Sequence, residues 1–195
     1  MANSNITKKA LANALKELMQ SQPFDKINVT DICEKCNMNR KSFYYHFKDK
    51  YDLVNWIFDT DFISLITSED EKVSYKNHWE LIYSACAYFY ENREFYHKAL
   101  LIDGQNAFVN HLWDYLHPLL QDRLTYLFDG NAIDDFTVNF LADAMLCSIE
   151  RWLKEKNCMP ANQFVKKLHY LIQNGATAVC KEMDERGIIP SKLDY

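Results

Sequence analysis

The residues able to do chemistry are densest between Phe24 and Lys50, in the run FDKINVTDICEKCNMNRKSFYYHFKDK. Cys33 and Cys36 have the spacing of half a zinc site or a redox pair. A zinc site needs two further thiolate or imidazole ligands, and the remaining cysteines, at 86, 147, 158 and 180, supply no second pair. Both fall on the inward side of a short helical pattern, so core packing is their expected role and no metal is expected. The six histidines (46, 78, 97, 111, 117, 169) contain no His-x-x-x-His pair. The acidic groups Asp134-Asp135 and Glu69-Asp70-Glu71 stand in loops or at helix starts, where they favour the helix dipole. With no Gly-rich phosphate loop, nucleophile elbow or nucleotide fingerprint, no catalytic set and no cofactor are expected. What remains is Arg40, Lys41, Ser42, Tyr44, Tyr45 and His46. Arginine and lysine offer cationic donors to guanine edges, tyrosine faces suit thymine methyls or sugars, and hydroxyls hold phosphates. This is chemistry for gripping a polyanion, not for breaking bonds.

Those side chains must be held out by short capped helices. Ile6, Ala10, Leu11, Ala14, Leu15, Leu18 and Met19 recur at three- and four-residue steps, predicting an amphipathic helix over 6–19. Asn28 with Asp31 reads as a capping box opening a second helix, whose inward face is Ile32, Cys33 and Cys36. Asn37 suits a left-handed residue where that helix stops. Asn39 caps a third helix to about Phe47, with Phe43 and Phe47 inward. Two short helices joined at Asn37-Met38-Asn39 make a helix-turn-helix, and the 6–19 helix supplies its third wall. The second helix of such a pair enters the major groove with its N-terminal residues toward the bases, and free N–H groups at its start can hold phosphate.

Beyond this head the pattern stays helical. Asp49 caps a helix to about Ile66; further helices are expected over about 74–92, 93–101, 106–128 (bent at Pro118), 134–155 and 161–186. Gly 4 and Pro 4 are few for 195 residues, and no glycine precedes Gly104, which favours long helices with short links. The fold class is therefore all-α, with a head at 1–50 and a larger helical body at 51–195. Charge divides the same way. Residues 1–50 hold nine Lys/Arg against five Asp/Glu, a surplus of four, whereas the rest holds 13 basic and 22 acidic residues and is nine negative. A basic head on an acidic body fits a polyanionic partner for the head alone. The opening residues lack a secretory apolar run and no stretch could span a membrane, so a reducing cytoplasmic setting with free thiols is expected.

The stretch resembles the DNA-binding domain of TetR/AcrR-type regulators, a helix-turn-helix domain carried by a larger helical domain of about nine helices in all. Phe24, Asp25, Val29, Asp31, Ile32, Phe43, Tyr44, His46, Phe47, Lys50 and Leu53 sit at matching positions, and SFYYHFKDK is the most specific run. The match covers about a quarter of the chain. Cys33 and Cys36 replace small alanines, Asn37 the turn glycine, and Lys41 a common glycine, adding charge to the reading head. The resemblance puts Thr30, Asn39, Arg40, Lys41, Ser42, Tyr44, Tyr45, His46 and Lys50 at the DNA, with Lys50 as a phosphate clamp. It also implies an effector pocket in the body, near Trp56, Phe62, Tyr83, Tyr90, Phe108, His111 and Trp113.

Two apolar stripes mark the last helices: Phe140, Leu141, Ala144, Met145, Ser148 and Trp152, then Leu168, Leu171, Ile172, Gly175, Ala176, Val179 and Met183. Paired with a two-fold mate they would form a four-helix bundle, a homodimer presenting two reading helices to a near-palindromic operator in double-stranded DNA. The expected function is transcriptional regulation, controlled by a small molecule or a co-regulator protein. The runs DKYDLVNWIF and ENREFYHKALLIDGQNAF are similar to TetR-type regulators of dihydroxyacetone kinase operons, implying an activator working with a protein co-regulator. From other classes, a helical interaction module would show no salt-steep DNA affinity. A small helical enzyme would need a convergent acid–base cluster, and the sequence supplies none.

Overall fold

The computed structural model describes residues 2–63, 78–104, 107–127, 130 and 133–185, with side chains described at 4–62, 79–80, 82–104, 107–126, 130 and 133–174. Among them the fold is all-α. Helix α1 (Ala2–Ser21) is followed by a 3-10 turn (Phe24–Lys26), α2 (Val29–Lys35), α3 (Arg40–His46) and α4 (Lys50–Phe58), which continues as a π-helical stretch over Asp59–Ile63. The body contains α5 (His78–Glu91), α6 (Arg93–Ala99), α7 (Phe108–Leu127), α8 (Asp135–Lys154) and α9 (Ala161–Glu185). No described helix is long and apolar enough to cross a membrane.

The head closes around α1, which packs on α2, α3, α4 and, from the body, α6. Leu11, Leu15, Ile32, Cys33, Phe43, Phe47 and Leu53 are buried together and supply the apolar burial that two seven-residue helices cannot supply alone. Two details of α1 depart from its periodicity. Ile6 is exposed and Ala12 is buried.

In the body α7 packs on α4 and α8, α6 on α8, and α9 on α5. The centre is an aromatic block. Phe58 stacks on Phe62 (centroids 4.7 Å apart) and meets Phe108 edge-on at 5.5 Å, while Tyr96 meets Phe89 at 4.9 Å. Tyr88 and Tyr96 pair their hydroxyls at 2.8 Å, which satisfies polar atoms that burial would otherwise penalise. Burial pushes the Tyr88 phenol up to about 12. Among the described residues, buried polar side-chain atoms without a partner occur on Asn55, His97 and Arg123, each otherwise half-buried.

Candidate nucleic-acid interface

Local hydrogen bonds build the reading head. The Asn28 side chain accepts from the N–H groups of Thr30 (2.8 Å) and Asp31 (3.1 Å), and Asp31 accepts from the Asn28 N–H at 2.8 Å, completing the box at the start of α2. At its end Met38 N–H donates to the Cys33 carbonyl (2.8 Å) and Asn37 N–H to that of Glu34 (3.2 Å), with Asn37 at φ +54°. This is a Schellman stop, and asparagine tolerates the left-handed residue it requires. Asn39 then accepts from Ser42 N–H at 2.8 Å and starts α3. The angle between α2 and α3 is thus set within twelve residues, by caps at both sides of one turn.

On α3, Phe43 is buried and the opposite face is bare. Arg40, Lys41, Tyr44 and Tyr45 are exposed, Tyr45 by 82%. The Arg40 guanidinium lies 5.8 Å from the Tyr44 ring centre and within 3.5 Å of its hydroxyl, so cation and ring form one surface. His46 is half-buried, its ring edge-on to Tyr45 at 4.8 Å. Ser42 is also half-buried and its hydroxyl donates back to Asn39 at 3.2 Å. Thr30 is half-buried at the first turn of α2, and Asn39 is exposed as the cap of α3. Except for Lys50, the side chains expected at DNA are exposed or half-buried, at the start of α2 and along α3.

Lys50 has an internal task that its position in the sequence does not announce. Its ammonium donates to the carbonyls of Ile27 (2.6 Å) and Phe24 (2.8 Å) and lies 4.4 Å from the Phe24 ring centre. Burial lowers its pKa, with Asp25 and Asp31 opposing. It ties α4 to the chain entering α2. The thiols of Cys33 and Cys36 are pushed up by burial, the reverse of what a metal-binding thiolate needs, and both cysteines are free. Among the described residues no group of three or more potential ligands could hold a metal ion.

Of the seven residues expected around an effector pocket, Phe62, Phe108 and His111 meet around Phe58 and the other four lie elsewhere in the contacts described. Phe62 and Phe108 are buried in the aromatic block, and Trp56 lies beside Phe47 at 5.7 Å. Tyr83 is exposed, and Tyr90 stacks near Trp152 at 6.2 Å. His111 Nε2 is 2.7 Å from Asp59, and Trp113 donates to Asp143 at 2.9 Å. A cleft of about 430 Å³ does occur between α8 and the start of α9, lined in part by Ser148, Arg151, Met159 and Phe164, and none of the seven borders it.

The stripe expected at the dimer interface needs one clear correction. Trp152 is 2% exposed within the single chain, stacked 4.3 Å from Phe164 at 6°, with its indole N–H donating to the Met159 carbonyl at 2.8 Å. It joins the two helices internally. Leu141, Met145 and Leu168 are half-buried, whereas Ser148 and Ile172 are exposed. The outward face of α8 runs one notch round from the expected stripe, through Phe136, Phe140, Ala144, Cys147, Ser148 and Arg151. Gly175, Ala176, Val179 and Met183 lie outside the residues whose side chains are described.

Several anchoring residues carried no local signal. Asp61 pairs with Lys16 (2.5 Å), and Arg93 and Lys98 on α6 reach backbone carbonyls 60 to 79 residues away. Partners so distant leave no spacing to read.

Residues 11–57 match the family described as bacterial regulatory proteins, tetR family, and residues 77–174 match the transcriptional regulator C-terminal region of such proteins. The HTH-type dhaKLM operon transcriptional activator DhaS of Lactococcus lactis subsp. lactis (strain IL1403) is 31% identical over 147 residues, covering 75% of this chain and 74% of that protein. The chain belongs to the TetR family. It is a DNA-binding regulator of that family with a C-terminal effector domain. The solved structure of a dihydroxyacetone kinase operon activator DhaS superposes with a TM-score of 0.63 at 25% identity, covering 87% of this chain and 96% of that one. A TetR regulator from Streptococcus agalactiae 2603V gives 0.60 at 22% identity over 88% and 95%, a likeness of fold. This regulator therefore shares its architecture with DhaS over 87% of its length.

Proposed function

We propose that residues 1–50 form the reading head, and that two copies joined through the 51–195 body place their α3 helices in successive major grooves of a near-palindromic operator. The observation that carries this reading is the bare face of α3, where Arg40, Lys41, Tyr44 and Tyr45 stand exposed over a fully buried Phe43. Arg40 and Lys41 read base edges, while Ser42, Thr30, His46 and the first N–H groups of α3 hold phosphates. The outer faces of α8 and α9, including Phe140 and Ile172, meet the two-fold mate.

For control we favour a protein co-regulator over a small molecule, with the regulator activating an operon of the dihydroxyacetone kinase type. Two observations support this: the similarity to DhaS, and a central block of interlocked rings whose two buried hydroxyls, on Tyr88 and Tyr96, are paired with each other. A small-molecule site needs a few convergent polar groups to fix orientation. Gel shift and footprinting on the intergenic DNA beside the protein's own gene, over a salt series, test the head. The expected result is a protected two-fold site with log affinity falling linearly in log salt. An affinity indifferent to salt, or a footprint without two-fold symmetry, refutes it. Transcription from that site with and without the product of each neighbouring gene tests the mode of control.

A further inference from the structure

Helix α6 is only seven residues long, yet it holds the ends of two other helices. From its last turn Lys98 donates to the carbonyls of Met19 and of Gln20 (3.2 Å), at the C-terminus of α1 in the head. From its first residue Arg93 donates to the carbonyls of Glu155 (3.1 Å), Lys156 (3.4 Å) and Leu153 (3.4 Å), at the C-terminus of α8 in the body. The last carbonyls of a helix have no partner inside it and carry the negative end of its dipole, so a cation there satisfies both. Between the two cations Phe95 and Tyr96 are buried, as is Ala99 just after Lys98, which fixes α6 against its surroundings. The Lys16 ammonium, also on α1, lies 5.8 Å from the Phe95 ring centre and pairs with Asp61 at 2.5 Å. The head is therefore held at the far end of α1 as well as through α4.

Resting on the DNA-binding reading above, we infer that Lys98 and Arg93 are positioning residues that set the separation of the two reading helices, and so determine which half-site spacing the dimer accepts. Neither touches DNA. Each added base pair moves the second half-site by about 3.4 Å and rotates it by about a tenth of a turn, so a head swinging about α4 alone would tolerate several spacings. A head clamped at α1 tolerates one. The clamp passes to the head any displacement of the C-terminal end of α8.

The test uses the full-length dimer and a duplex that the wild type selects from a randomised pool. The spacer of that duplex is then varied in single-base-pair steps, beside a duplex carrying one half-site. The wild type binds sharply at its selected spacing. Lys98→Met keeps the aliphatic stem and removes the donors. It binds the selected duplex about tenfold more weakly, shows a flattened spacing profile, and binds the single half-site within about twofold of wild type. Lys98→Arg restores the profile, and Arg93→Gln flattens it from the opposite end of α6. Wild-type profiles in both Lys98→Met and Arg93→Gln overturn the inference, as does an equal loss on the single half-site, which would mean that the residues only hold the head folded. A wild type that selects no duplex overturns the DNA-binding reading instead.

Discussion

Replacing Trp152 by alanine separates a residue that holds one chain together from one that joins two. The side chain is 2% exposed, stacks on Phe164 at 4.3 Å, faces Tyr90 at 6.2 Å, and donates to Met159 at 2.8 Å. Truncating a buried tryptophan costs about 3–5 kcal/mol, cavity included. Against a total stability of roughly 5–15 kcal/mol, that is a large fraction of what keeps α8 and α9 joined. Trp152→Phe keeps the stacked ring and loses the donor, so it costs less, about 1–2 kcal/mol. Phe140→Ala is the control. Phe140 is 61% exposed on the face of α8 proposed to meet the two-fold mate, so the expected outcome of its loss is weaker dimerisation with the stability of the single chain near wild type. The assay is urea unfolding followed by circular dichroism at several protein concentrations, with the dimer constant measured by sedimentation. Trp152→Ala should lower the midpoint at every concentration, and Phe140→Ala only where dimer gives way to monomer. If Trp152→Ala stays within about 1 kcal/mol of wild type, or acts only through the dimer constant, the internal stack is not what holds α8 to α9.

The other expectations concern the head and one buried hydroxyl pair. Arg40→Ala with Lys41→Ala should abolish specific binding in a gel shift, since each base-reading contact is worth about 1–3 kcal/mol, while the melting temperature stays put because both are exposed; retained affinity would move the reading face elsewhere. Asn37→Ala should cost about 1 kcal/mol in urea unfolding and Asn37→Gly nothing or less, because the residue sits at φ +54°; the opposite order would mean that the turn is not left-handed in solution. Asn28→Ala removes an acceptor from two N–H groups and should cost about 1 kcal/mol, with faster amide exchange at Thr30 and Asp31; unchanged exchange there counts against the cap. The Tyr88 phenol is pushed up to about 12 by burial, from an ordinary value of 10.0. The unfolded chain therefore ionises it first, and its contribution to stability, complete below pH 10, is lost as pH rises toward 12. Tyr88→Phe should make unfolding midpoints less steep over that range, and an unaltered slope would refute the assignment.

Features governed by a few adjacent residues could be read before folding. The caps Asn28, Asn39, Asp49 and Asp134, and the left-handed Asn37, stand where their side-chain chemistry puts them, because donor and acceptor lie within three residues of each other. Apolar periodicity likewise puts the helices at 93–99, 135–154 and 161–185 within a few residues of their expected limits. Periodicity also placed Phe43 inward and Tyr44 and Tyr45 outward on α3. It could not say what would cover an apolar face. Trp152 belongs to a stripe that suits a partner chain as well as it suits Phe164, and only the crossing of α8 and α9 decides between them. Long cationic side chains are harder still. Lys50, Arg93 and Lys98 look like surface charge in the sequence, yet each reaches backbone carbonyls brought near only by the packed helices. A cap is a contact between neighbours in the chain, whereas a clamp joins residues that only the fold makes neighbours.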